Sequence, residues 1–492
     1  MNYRGTLKPI GMFLLVLVGS LLVPLLLSLY EDQSEYPTRL AFFVALGVTT
    51  AIGAALLLFA RIWAAGSDDS EQLHRKEGMF IVAVGWIVAG ILSAIPYVVA
   101  GVLPSWIDAV FESVSGFTTT GASVITEIEI LPRSILLWRS MTHLLGGMGI
   151  IVLFVAILPA LGVGGKFLYK IEATGPSVSG IHPKAVDTAR TLWLIYMGIT
   201  VIEILVLWAA GMTFFDAVCH AFGTMATGGF STKNNSIAAY GTHIQLILTF
   251  FMFVAGVNFS LYYQAWRKRF MFWKDSEFRL YLLIITVAFV AFSTNLLHQQ
   301  SWDLSNFGIV LRDSIFTTVT IITTTGFGTV DFEQWTLLAQ GAIVALMFVG
   351  GCAGSTGGGM KVVRVLITMR WVWKQIEKSF RPKAVLPLRV SGQTIDREIE
   401  ESVIGYMLLF MLWILSGVLL MLACNHDMIT SITASISAAA NVGPALGMVG
   451  PTENWALLHP IAKVWMTLLM LVGRLEVLAI SVLVLPGFWR RY

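Results

Sequence analysis

Long apolar runs separated by short polar stretches dominate the chain, and their length decides which element they predict. Nearly uncharged segments extend from 9 to 30, 40 to 60, 78 to 103, 140 to 161, 191 to 212, 243 to 266, 280 to 298, 335 to 349 with a continuation, 402 to 424 and 459 to 485. Most are near or above the ~20 residues that an α-helix needs to cross a bilayer core. About ten spanning helices are therefore expected. The first run is too long for a signal peptide and no small-residue cleavage pattern precedes Glu31, so it is expected to stay as a span.

The polar stretches give the orientation. Alternate connecting segments, beginning with the N-terminal one, hold 25 Lys and Arg against 5 in the segments between them, and Lys463 and Arg474 lie in the last apolar run. Basic residues stay in the cytoplasm, so both termini are expected there, joined by loops too short to fold as a separate domain. Composition agrees: 12% of the 492 residues are charged and 56% are hydrophobic, and mean hydropathy is +0.78. A soluble chain carries about 25% charge, so a soluble globule is excluded. A net charge of +3 is no electrostatic footprint for nucleic acid. Cys219, Cys352 and Cys424 provide neither a disulfide framework nor metal-ligand spacing.

Between the spans, on the outer side, one short motif recurs four times. Asp108, Asp216, Asp313 and Thr430 each precede a glycine by thirteen residues: Gly121, Gly229, Gly326 and Gly443. Around those glycines the copies read Thr119-Thr120-Gly121, Thr227-Gly228-Gly229, Thr324-Thr325-Gly326 and Asn441-Val442-Gly443. Asp or Thr is a good helix N-cap, the residues that follow are apolar or small, and Thr-Thr-Gly favours non-helical backbone. The unit predicts a re-entrant hairpin, with a short helix leading into an extended segment. Such backbone is tolerated at membrane depth only where it lines a cavity. Four copies around one axis give a ring of carbonyls able to replace the hydration shell of a monovalent cation, with Thr hydroxyls as further ligands below.

Two other features stand out. Six of the ten residues from Gly350 to Gly359 are glycine, which disfavours continuous helix by about 6 kcal/mol. The fifteen residues from 335 to 349 rise only about 22 Å. The helix is therefore expected to break inside the membrane, beneath the ring. A phosphate-binding loop does not fit, because Gly-Lys-Ser/Thr is absent. Arg474 lies near the middle of the last span, where an uncompensated Arg costs at least about 2.5 kcal/mol, so it must face protein or water. Glu476, two positions on, points elsewhere. Glu203 and His143 are expected to be satisfied packing groups, and Glu112 to lend negative potential to the ring.

Span, short helix, Thr-x-Gly segment and span, repeated four times after two extra N-terminal spans, resembles the Trk-type potassium uptake membrane subunits. This is the TrkH, TrkG and TrkI family, within the superfamily of K⁺ transporters that includes Ktr. The resemblance covers essentially the whole chain. It implies an all-α polytopic membrane protein, with two N-terminal helices and four span/pore-loop/span repeats around one pseudo-four-fold pore. The implied divisions are 1–70, 71–170, 171–270, 271–390 and 391–492.

The resemblance further implies a K⁺ filter at Thr119, Thr120, Gly121, Thr227, Gly228, Gly229, Thr324, Thr325, Gly326, Asn441, Val442 and Gly443, where K⁺ is the bound metal and the transported ion. It implies a gate at Gly350, Gly351, Gly354, Ser355, Thr356, Gly357, Gly358 and Gly359, with Arg474 in the pore below. It also implies the bacterial inner membrane, a homodimer surrounded by lipid, and a cytoplasmic nucleotide-binding subunit of the TrkA type. This chain itself is expected to bind no cofactor or nucleic acid and to catalyse no reaction. A four-fold K⁺ channel repeats one filter sequence identically. Here only the key glycine is common to all copies, so weaker discrimination among cations is expected. The alternative is an H⁺- or Na⁺-coupled potassium symporter. A rocking carrier would show inverted repeats, whereas these four have the same topology. A membrane enzyme finds little support in eight scattered histidines.

Overall fold

A computed structural model describes residues 3–64, 75–157, 185–267, 272–299 and 304–489. Without water to take up backbone N–H and C=O groups, helix is the element that long apolar segments form in lipid. Among the described residues six helices are long and apolar enough to cross, and a seventh span arises if one bent pair is counted together. Helices Tyr3–Ser28 and Thr38–Ala64 pack on one another and against the first repeat.

Four repeats follow, each a long helix, a short helix, an extended segment and a second helical arm. The short helices are Trp106–Phe117, Phe214–Met225, Phe307–Ile322 and Met428–Ala440. The long helices before them are Arg75–Ser93 with Ile95–Val99, Ala185–Ala209, Ser276–Gln299 and Arg397–Ala423. Polarity runs opposite to that of a soluble protein. Leu26, Leu408 and Leu412 face outward, whereas Thr118, Thr323, Asn441 and Arg474 are buried.

The second arms depart from the expected spans. The segment 243 to 266 is not one straight helix: Thr242–Ala255 and the helix beginning at Phe259 meet at 89°. The last arm is interrupted as well, between Pro460–Arg474 and Leu478–Val484, with Glu476 and Val477 at φ 59° and 51°. In the third repeat Leu337–Val349 stops at Gly350 as expected, and helix resumes over Val362–Phe380. The first-repeat arm is Arg133–Ile157, and the end of its expected span at 158–161 lies outside the described residues.

The caps also shift. Ser105, Thr213 and Asp427 are the N-caps of the first, second and fourth short helices, accepting from the N–H groups of Asp108, Asp216 and Thr430. The expected caps are thus first-turn partners, three residues past the true caps. Asp108 instead pairs with Lys463 at 2.6 Å. In the third copy the helix starts earlier, behind Asn306, and Asp313 lies within it beside Arg312.

Candidate functional site

Each short helix ends in the same way. Thr119, Thr227, Thr324 and Asn441 adopt φ of 52°, 55°, 60° and 56°, and Gly121, Gly229, Gly326 and Gly443 follow two residues later at 77°, 80°, 77° and 101°. The middle residue's N–H reaches back five positions in every copy: Thr120 to Ser115 at 2.9 Å, Gly228 to Gly223 at 2.7 Å, Thr325 to Thr320 at 2.9 Å and Val442 to Ser437 at 3.0 Å. Together with the i→i−3 bonds of the residues before them, these form helix-terminating motifs with a left-handed residue just past the helix. Glycine usually takes that place. A β-branched Thr there costs of order 1–3 kcal/mol, and the fold stores that strain three times in one layer.

The four ends form a closed ring. A Cβ on Gly121 would lie 2.1 Å from the carbonyl oxygen of Gly228, one on Gly229 2.1 Å from that of Thr325, one on Gly326 2.0 Å from that of Val442, and one on Gly443 2.5 Å from that of Thr120. Every key glycine therefore abuts the middle carbonyl of the next copy, and the fourth returns to the first. The side chain is forbidden by the neighbour as well as by φ.

Side chains tie the ring together in unequal ways. The Asn441 amide donates to Thr120 Oγ1 and to the Met470 carbonyl, both at 2.9 Å, so the Asn that replaces Thr in the fourth copy joins it to the first copy and to the last arm. The hydroxyls of Thr118 and Thr120 are 2.8 Å apart, as are those of Thr323 and Thr325. Several hydroxyls are thus committed within the protein; Thr119 Oγ1 is buried with no protein partner among the described residues. Beyond the glycines, the carbonyls of Phe327 and Pro444 accept from Thr320 and Ser437, which turns them back towards the short helices.

Directly beneath the ring lies the glycine-rich segment. Gly358 N–H donates to Thr324 Oγ1 at 2.6 Å, and Thr356 Oγ1 donates to the Met225 carbonyl at 2.8 Å. The segment rests in the bend of the second-repeat arm, where Cys352 N–H donates to the Gly256 carbonyl at 2.9 Å and Phe259 N–H to the Gly354 carbonyl at 3.0 Å. Arg474 donates to the Thr356 carbonyl at 2.8 Å and to the Gly146 carbonyl at 3.1 Å, linking this segment to the first-repeat arm. Glu476 does point elsewhere and pairs with Arg364, at the start of the helix that follows the segment. Three interrupted helices thus interlock in one layer.

Some contributors were not singled out in the sequence. Glu277 Oε1 accepts from Ala353 N–H at 2.6 Å and Val363 N–H at 3.1 Å, anchoring both feet of the glycine-rich segment. The interruption at Gly256-Val-Asn258 has one glycine as its signal, inside an otherwise apolar run. Glu112 is not a free source of negative potential, because Arg139 neutralises it at 2.8 Å. His143 stacks on Phe230 with ring centroids 4.2 Å apart, but its ring nitrogens and both carboxylate oxygens of the buried Glu203 have no hydrogen-bond partner among the described residues, so these two are packed without being satisfied as expected.

Comparison with known proteins bears on this architecture. The family model described as TrkH, cation transport protein, matches residues 46–489. The Trk system potassium uptake protein TrkH of Halomonas elongata is 38% identical, with all of both chains covered. TrkG of Escherichia coli is 32% identical over 96% of this chain and 95% of its own. The crystal structure of the potassium transporter TrkH from Vibrio parahaemolyticus superposes with a TM-score of 0.88 at 33% identity, covering both chains fully.

Proposed function

Because the chain belongs to the TrkH family of cation transport proteins, we propose that it takes up potassium ions across the bacterial inner membrane through one channel-like pore. The observation that carries this reading is the closed ring, in which four key glycines abut four carbonyls in cyclic order. A dehydrated cation needs oxygen ligands from all sides, and a ring of backbone carbonyls supplies them without side-chain reorganisation. The four short helices end at the ring, and their C-terminal dipoles, each about half a negative charge, favour a cation there.

On this reading Thr119 to Gly121, Thr227 to Gly229, Thr324 to Gly326 and Asn441 to Gly443 are the K⁺ filter, and each of the four repeats is one quarter of it. The glycine-rich segment is the gate and Arg474 its latch. The bonds at Gly358, Thr356, Cys352 and Phe259 hold the segment below the ring. At a net ~1 kcal/mol each they stabilise the closed form by a few kcal/mol. Moving a two-state gate from 1:99 to 99:1 takes about 5.5 kcal/mol of differential binding. A cytoplasmic nucleotide-binding subunit of the TrkA type, acting on a homodimer with cytoplasmic termini, is the proposed source. H⁺ or Na⁺ coupling is the competing mode of flux.

The test replaces Gly326 with Ser and follows K⁺ or Rb⁺ uptake in cells lacking other uptake systems. Loss of at least ~90% of flux, about one 1.4 kcal/mol step, is expected; unchanged rate and ion preference would sink the filter assignment. Flux from purified protein that persists without any H⁺ or Na⁺ gradient separates the channel from the symporter.

A further inference from the structure

The four copies share a backbone but not what braces the strand outside each key glycine. Nine residues before the glycine stand Glu112, His220, Thr317 and Ala434, and two residues after it Ser123, Ser231, Gly328 and Ala445. In the first two copies these positions bond to each other. Ser123 Oγ donates to Glu112 Oε1 at 3.0 Å, and His220 Nε2 lies 2.9 Å from Ser231 Oγ. The other two copies have no hydroxyl at that second position. Their brace runs from a hydroxyl six residues before the glycine to the carbonyl one after it, at 3.1 Å from Thr320 and 2.9 Å from Ser437.

Arg139, on the first-repeat arm, joins the first two braces into one. Its Nε donates to Glu112 Oε1 at 2.8 Å, one terminal nitrogen to the Ser231 carbonyl at 3.2 Å and the other to Ser123 Oγ at 3.2 Å. The guanidinium carbon sits 4.0 Å from the centre of the Phe230 ring. Glu112 Oε2 also accepts from Val124 N–H at 2.9 Å. The Arg139 and Glu112 side chains are 2% and 0% exposed. Burying such a pair costs several kcal/mol, and well-packed apolar residues are often as stable, so stability alone is a weak reason for it. A rigid guanidinium fork has a geometric use that Lys lacks: it holds fixed directions to several acceptors at once. Here two of those acceptors, Ser123 Oγ and the Ser231 carbonyl, belong to the strands beyond two different key glycines, and the third, Glu112 Oε1, lies on the first short helix.

We infer that Arg139 is a specificity-determining positioning residue that clamps the outer strands of the first and second filter copies at a fixed separation and so sets the preference for K⁺ over the smaller Na⁺. This rests on the filter reading above. The strands at Ser123 and Ser231 belong to no sheet, so side-chain braces do the work of a ladder. Loosening the clamp lets the ring contract around a smaller ion while its carbonyls, and hence permeation, remain.

The experiment uses the full-length chain in cells lacking other K⁺ uptake, measuring Rb⁺ and Na⁺ uptake per amount of protein in the membrane. Arg139→Met is expected to keep flux while the K⁺ over Na⁺ preference falls about tenfold. Arg139→Lys, which keeps the charge beside Glu112 but loses the fork, is expected to shift it in the same direction by less. Thr317→Ala, at the matching position of the third copy, leaves the preference unchanged. A wild-type preference in Arg139→Met protein overturns the inference; if that protein does not accumulate, a wild-type preference in Arg139→Lys does so. Gly326→Ser is run alongside. Loss of its flux with wild-type preference in the Arg139 variants removes only the clamp, whereas unchanged flux and preference in Gly326→Ser removes the filter reading itself.

Discussion

The ring and the layer beneath it are built from similar materials in opposite ways. In the ring all four copies repeat one backbone conformation, with left-handed residues two apart and the same i→i−5 closure, although the side chains differ from copy to copy. In the layer below no two repeats match. One arm bends at Gly256–Asn258, one opens into the glycine-rich segment, one breaks at Leu475–Val477, and the first runs as helix to Ile157. The ring is held by carbonyls meeting glycine Cα atoms, an arrangement with one solution. The lower layer is held by exchangeable hydrogen bonds from Thr356, Gly358, Arg474 and Glu277, which can be broken one at a time. On the proposed reading, symmetry goes with the part that holds the ion and its loss with the part that gates.

The largest expected effect comes from breaking the ring. Gly229→Ser places a side chain where 2.1 Å separates it from the Thr325 carbonyl, at φ 80°, and should abolish Rb⁺ uptake while protein still reaches the membrane. Loosening the lower layer acts in the opposite direction. Arg474→Ala removes two donors to the Thr356 and Gly146 carbonyls and a buried charge. At ~1.5–3 kcal/mol for a bond to a charged group, basal flux without a partner should rise roughly tenfold or more in vesicle assays. Shortening the glycine-rich segment should likewise make flux less dependent on the proposed cytoplasmic subunit; flux that stays fully dependent on it places the gate elsewhere.

Glu277→Ala frees both feet of the segment and should raise basal flux by less than Arg474→Ala, because the bonds to the ring remain. The smallest effect concerns pH. The Thr430 hydroxyl and then its N–H hold the Asp427 carboxyl below the ordinary 3.8. Its capping contribution is present above that value and is lost as pH falls through the lower folded value. Asp427→Asn should therefore flatten the acid limb of thermal stability and leave ion preference unchanged.

The ring was legible in the sequence because it is local. Thirteen residues from Asp or Thr to Gly, repeated four times, encode a short helix and its left-handed exit without reference to distant contacts. The break after Val349 was legible for the same reason, from glycine density. Arg474 was conspicuous through its cost in lipid, although its partners were not readable. The remainder depends on pairings across the fold. Nothing near Glu277 tells it from an ordinary acidic residue at a helix start, and its role appears only with Ala353 and Val363 beside it. Glu112 was misread because Arg139, 27 positions away, is what cancels it. The bend at Gly256 looks like a continuous span, since one glycine costs only about 1 kcal/mol in a helix.

The bonds that close the circle have a consequence for how the chain is made. Lys463 pairs with Asp108 across 355 positions, Asn441 with Thr120 across 321, and Arg474 with Gly146 across 328. Until the last quarter of the chain is made, the Asp108 carboxylate, the Thr120 hydroxyl and the Gly146 carbonyl lack these partners. The final arm is therefore the keystone of assembly, and a nascent chain stopped before Lys463 is the form that quality-control proteases should recognise.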